Sequence, residues 1–153
     1  MKLRVIGYWA STIVITFELL LGGLTDLVHG GTSLVAGEPV ADILTHLGYP
    51  VYLLTILGLW KLPGGIVLLV PGFPRLKEWA YAGAFFVYIG AATSGIVRGR
   101  NDPATLIWGP LIFAAITLVS WALRPPGRTL GVLFPPKHHE ESPAQHTQVT
   151  ISR

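Results

Sequence analysis

Cysteine is absent from the 153 residues, which removes disulfide exchange, thiolate nucleophiles, Cys-bound zinc and iron–sulfur clusters from the chemistry this chain can perform alone. Any redox role therefore needs a bound cofactor or a partner subunit. Charge is scarce as well. Asp, Glu, Lys and Arg make up only 12% of the residues, too few for the solvated surface of an ordinary soluble domain. The 11 Lys and Arg are scattered over short segments with no dense patch interleaved with aromatics, so nucleic acid is not an expected partner. Haem ligation lacks its residues too: only His29 and His46 fall near the apolar stretches, and both lie in one external loop segment. His138, His139 and His146 occupy a polar C-terminal stretch without a spacing that fixes a metal geometry, and no metal is assigned.

What the chain does have is apolar length. Hydrophobic residues make up 51% of it, and four stretches approach the roughly 20 residues a helix needs to cross a bilayer. They run over about 5–28, 49–70, 79–96 and 105–123, which predicts an all-α integral membrane four-helix bundle. Lys2 and Arg4 before the first stretch resemble the start of a signal peptide, but Glu18 interrupts the run and no small-residue cleavage site follows, so it reads as a retained span. From Pro125 onward Pro, Gly, His, Glu and Ser take over. Residues 1–124 are thus expected to form the membrane unit and 125–153 a disordered cytoplasmic tail.

Orientation follows from the basic residues, which are retained on the cytoplasmic side. Both termini inside puts Lys2, Arg4, Arg75, Lys77, Arg124, Arg128, Lys137 and Arg153 in the cytoplasm and leaves Arg98 and Arg100 outside. Tyr8, Trp9, Trp79 and Trp121 then mark the inner interface, and Tyr49, Tyr52 and Trp108 the outer one.

Ionisable groups deep in a membrane are costly, which makes them functional suspects. Glu18 lies near the middle of the first span and Lys61 near the middle of the second, so antiparallel pairing brings the two to similar depth. Ser11, Glu18, Gly22, Thr25 and Asp26 form one polar stripe on the first helix, expected to face the bundle interior. Gly58, Lys61 and Gly65 share a face of the second, where Pro63 and Gly64 predict a kink beside Trp60 and Lys61. On the third, Gly83, Gly90 and Ser94 suit a tight helix contact, and Tyr81, Phe85 and Tyr88 form an aromatic face that is either core, lipid-facing or a stacking surface for a flat ring. Thr117 and Ser120 add hydroxyls on the fourth. The Glu18–Lys61 pair reads in two ways, as a structural ion pair that sets helix register or as a site for a polar head group, a quinone carbonyl or a proton in transit. Candidate lining residues are Ser11, Asp26, Trp60, Tyr81, Phe85, Tyr88 and Thr117.

The run LGYPVYLLTILGLWKLPGGIVLLVPGFPRLKEWAYAGAFFVYIGAATSG, Leu47 to Gly95, resembles the DoxX-like family of small bacterial four-helix membrane proteins, and the likeness extends from Tyr8 and Trp9 to Pro125. In it Gly48, Tyr49 and Pro50 lead into the second helix. Pro71, Gly72, Phe73 and Pro74 make a rigid turn pinned by Arg75 and Lys77, and Glu78 and Trp79 open the third helix. The resemblance implies a multi-pass protein of the bacterial cytoplasmic membrane. Relatives are linked to thiosulfate:quinone oxidoreductase subunits and to complexes that handle sulfur and oxidative stress, which implies a subunit or accessory factor of a quinone-linked system, with a quinone as the cofactor. Similar small proteins in animals act as assembly factors, which implies instead a scaffold for a membrane-protein partner, or a homo-oligomer. With no redox centre of its own, the chain ranks below either role as an independent enzyme. Transport ranks last, because four helices with no inverted repeat need a dimer to build a midplane path.

Overall fold

A computed structural model of the chain describes residues 2–29, 31, 37–98, 104–125 and 128–129. Its helices are α1 Lys2–Val28, α2 Val40–His46, α3 Tyr52–Leu69, α4 Pro74–Arg98 and α5 Thr105–Ala122. Four of them, α1, α3, α4 and α5, are long and apolar enough to cross a membrane, and no strand occurs among the described residues. They close a ring in which α1 and α4 each touch both α3 and α5. Arg4 Nη2 lies 3.4 Å from Ala122 O, so the start of α1 and the end of α5 share one end of the bundle, the terminal end. The short α2 lies at the opposite, loop end.

The closest helix contact is between α1 and α3, and it depends on missing side chains. A Cβ at Gly58 would sit 2.7 Å from the carbonyl oxygen of Gly23, so the α3 backbone rests directly on that of α1. In lipid, where apolar surface alone gives no drive to associate, such close approach is what holds two helices together. Pro63 lies inside α3, which continues through it to Leu69 and leaves the Leu59 carbonyl without its helical donor.

Two boundaries differ from the sequence expectation. The third span begins at Pro74 rather than Trp79, because proline presets the helical φ and its missing N–H is one that a first turn leaves unpaired anyway. With 25 residues, α4 is also no longer the short span of the four. The loop between the first two spans contains α2, whose start and end signals are Pro39 before it, Asp42 in its first turn, His46 in its last and Gly48 after it. His46 is therefore helical. His29 follows α1 with φ 55° and its Nε2 lies 2.9 Å from Thr55 Oγ1.

The turn Pro71–Phe73 carries left-handed backbone at Gly72 and Phe73, and it sends the chain from α3 straight into α4. Lys77, one of the two basic residues expected to pin this turn, points into the bundle and is fully buried. Its ammonium donates to the carbonyls of Val67, of Leu68 at 3.1 Å and of Val70 at 2.5 Å, which are acceptors that the end of α3 leaves open. Arg128 adds a donor to Leu68 O at 3.1 Å.

The rest of the terminal half is tied by hydroxyls and by two arginines. Thr12 and Ser120 meet at 2.7 Å, and Ser120 meets Tyr81 OH at 2.8 Å, joining α1, α5 and α4. Tyr8 is wholly buried and accepts from Arg128 Nη1 at 3.1 Å, so it is an interior residue rather than an interfacial marker. Arg124 pairs with Glu78 at 2.8 Å and lies over the Tyr81 ring. The expected tail beyond residue 129 lies outside the described residues.

Candidate functional site

Glu18 and Asp26 project from one face of α1 because eight residues are little more than two turns. Antiparallel α3 carries Lys61 between them. Its ammonium lies 2.9 Å from Asp26 Oδ2 and 3.7 Å from Glu18 Oε1. Asp26 is thus the nearer partner. The side chains of Lys61, Glu18 and Asp26 are only 14%, 15% and 6% exposed. From α4, the Tyr88 hydroxyl donates to Glu18 Oε2, and its ring stacks on Phe113 of α5 with centroids 5.5 Å apart. One acid on α1 therefore links the bases and donors of two other helices. Gly22 keeps the space open, since a Cβ there would lie 2.9 Å from Glu18 Oε1.

The cluster is paired in charge but not saturated in hydrogen bonds. The contact from Lys61 to Asp26 Oδ2 is short yet off the hydrogen-bond direction, and that buried oxygen accepts no hydrogen bond among the described residues. The distance to Glu18 is that of an ion pair, beyond hydrogen-bond length. The ammonium of Lys61 thus keeps N–H donors for a further acceptor.

Those donors border a cavity of about 410 Å³, within the range of small-molecule sites. Glu18, Lys61 and Tyr88 line it at mid-span and Asp26 nearer the loop end of α1. Leu54 and Leu57 of α3, Val87 and Ala91 of α4 and Phe113 of α5 supply apolar walls, and Ile43 and Leu44 of α2 cover it toward the loop end. Tyr49, whose hydroxyl lies 2.8 Å from Ser94 Oγ, adds a second polar pair on the wall. A flat ring with a carbonyl matches this donor set: an acceptor for Lys61 at one end and apolar or aromatic surface around the rest.

Of the residues singled out in sequence, Glu18, Asp26, Lys61 and Tyr88 come together here. The others go elsewhere. Ser11 donates back to Gly7 O and Tyr8 O within α1, and Thr117 to Phe113 O within α5, both buried in the bundle. Tyr81 belongs to the hydroxyl network of the terminal half. Phe85 is partly buried against the core and meets Phe86 edge-on. Trp60, 72% exposed, points away from the cluster toward the outer side of the α3–α4 seam. Gly83 and Gly90 make no tight helix contact, since a Cβ at either meets nothing within 4 Å. Phe113, Tyr49 and α2 were not foreseen. Only the α2 signals are local in sequence, and the roles of the two rings depend on which helix faces which.

Four membrane-length helices around a buried charged cluster and its cavity define a small integral membrane protein with no soluble domain among the described residues. A model of the DoxX-like family matches residues 5–120, and the chain belongs to that family. No curated protein and no solved structure matches it.

Proposed function

We propose that the chain binds the head group of a quinone-class lipid in the cavity beside Lys61 and serves as a subunit or accessory factor of a membrane oxidoreductase system. The observation that carries this reading is a largely buried ammonium with N–H donors left over, set beside a ring-sized apolar cavity. Lys61 donates to a head-group oxygen. Glu18 and Asp26 hold the ammonium charged and in place, and Tyr88 fixes Glu18. A bound quinone would supply the electron-accepting chemistry that a chain without cysteine or haem ligands cannot provide. The resemblance to small bacterial membrane proteins linked to quinone oxidoreductase subunits motivates a quinone-linked system in a bacterial inner membrane, and the excess of Lys and Arg at the terminal end supports cytoplasmic termini.

The test is native mass spectrometry of protein extracted gently from its own membrane. Quinone released in near-stoichiometric amount, and lost in Lys61→Met, is the expected result. A preparation that carries phospholipid alone, with quinone-dependent oxidation unchanged in a deletion strain, overturns the proposal. A second reading, a scaffold for a partner membrane protein, is favoured by the open surfaces at Gly83 and Gly90, where a partner helix can approach without displacing a side chain. It is distinguished by a co-purifying subunit that survives Lys61→Met.

A further inference from the structure

A second cavity, of about 430 Å³, runs along the outside of the α3–α4 seam. Its walls include Trp60, Gly64 and Val67 of α3 and Leu76, Trp79 and Gly83 of α4. Leu57, Lys61 and Val87 line both this cavity and the one described above, so the two meet at the charged cluster. From that junction the second cavity follows α4 from Val87 back to Leu76, about 16 Å of helix at 1.5 Å per residue. Lys61 is the only charged residue along it, and Trp60 and Trp79 stand on its rim, 72% and 78% exposed. Gly64 and Gly83 give the groove its depth, for a Cβ at either meets nothing within 4 Å.

We propose that this groove seats the apolar chain of the same ligand: a single-chain, prenyl-type tail leaves the head at Lys61 and lies between Trp60 and Trp79 on the way to the terminal end. The inference rests on the head-group reading above. Two observations give the tail this direction. The first cavity is covered toward the loop end by Ile43 and Leu44 of α2, whereas the second continues from the cluster along two membrane-length helices. Beyond Lys61 at the junction its walls are lined by apolar and indole side chains, which suits a chain and offers no charged partner to a second polar head. The chemical class is therefore a lipid with one compact acceptor-bearing head and one long chain, rather than a two-chain phospholipid.

The experiment uses the full chain in lipid nanodiscs and two probes. One is menadione, a naphthoquinone head without a tail. The other is a prenylated naphthoquinone with a diazirine in its third prenyl unit, mapped by peptide sequencing after photolysis. The expected result is labelling of Pro63–Val67 and Leu76–Gly83, competed by excess unlabelled prenyl quinone. In Gly83→Leu, which fills the groove, that labelling should fall about tenfold while menadione binding changes less than twofold. Labelling of the lipid-facing sides of α1 or α5, or labelling of the groove that excess quinone does not compete, overturns the tail assignment. In either case saturable menadione binding leaves the head site standing. Loss of saturable binding by both probes in the wild-type chain overturns the head-group reading and the tail with it. The wild-type map decides the matter even if Gly83→Leu does not fold.

Discussion

In the terminal half of the bundle, Thr12, Ser120 and Tyr81 pass hydrogen bonds from helix to helix, and Lys77 spends its donors on the backbone at the end of α3. In the loop half, Lys61 stands between two carboxylates with donors unused and a cavity beside it. Lys77 is buried and Lys61 largely so, yet one closes a structural account and the other leaves it open. The difference lies in the acceptors. Backbone carbonyls freed at a helix end are fixed in position and can be saturated completely by one ammonium. Two carboxylates on one face of α1 satisfy the charge of Lys61 but not its geometry. A buried cation is thus no pointer to function by itself, nor is an unspent donor, since buried Arg124 Nη1 also lacks a hydrogen-bond partner among the described residues. What sets Lys61 apart is that its free donors border a cavity.

The comparison is broken most severely by removing the central cation. Lys61→Met leaves Glu18 and Asp26 facing each other without a counter-charge and should cost about 3–5 kcal/mol of stability, read as a lowered unfolding midpoint in mild detergent, together with loss of quinone retention. Adding Glu18→Gln and Asp26→Asn to Lys61→Met should restore most of that stability without restoring the ligand. A triple variant that still retains quinone would show that the cluster is structural only. Lys77→Met is the converse. It should destabilise by about 2–3 kcal/mol, because buried carbonyls lose a charged donor, while the surviving folded protein keeps ligand at the wild-type ratio.

Smaller changes sharpen the contrast. Tyr88→Phe removes the donor to Glu18 and should cost about 1–2 kcal/mol in stability. Because Glu18 then moves freely against Lys61, quinone occupancy should also fall, measured by extraction and chromatography. Ser120→Ala in the terminal network should cost about 0.6 kcal/mol, the average for interhelical hydrogen bonds in membranes, and leave occupancy unchanged. An occupancy loss in Ser120→Ala equal to that in Tyr88→Phe would erase the distinction between the halves.

Much of this was legible before any helix was placed. Glu18 and Lys61 stand near mid-span of neighbouring helices, and antiparallel neighbours bring equal depths together. Asp26 shares the stripe of Glu18, but its precedence as the partner of Lys61 is a matter of a fraction of an ångström between side chains, which spacing does not resolve. The positive-inside rule places Lys77 at one end of the bundle and says nothing of the α3 carbonyls within its reach, which only the fold brings to it. Gly83 and Gly90 carry the spacing of a packing motif and face open space, since the same pattern serves a contact or a groove according to which neighbour lies opposite.

The amino-acid sequence alone determines that this chain lives in lipid as four helices, because apolar length, scarce charge and backbone self-satisfaction admit few other solutions in hydrocarbon. It points also to Glu18, Asp26 and Lys61 as charges that must be shielded from lipid, since they fall within the spans. Tertiary structure decided how those charges are spent. The ring order of the helices, the backbone contact at Gly58 and the inward turn of Lys77 are set by packing between segments distant in sequence. Those contacts separate a capped helix end from a cluster with donors to spare.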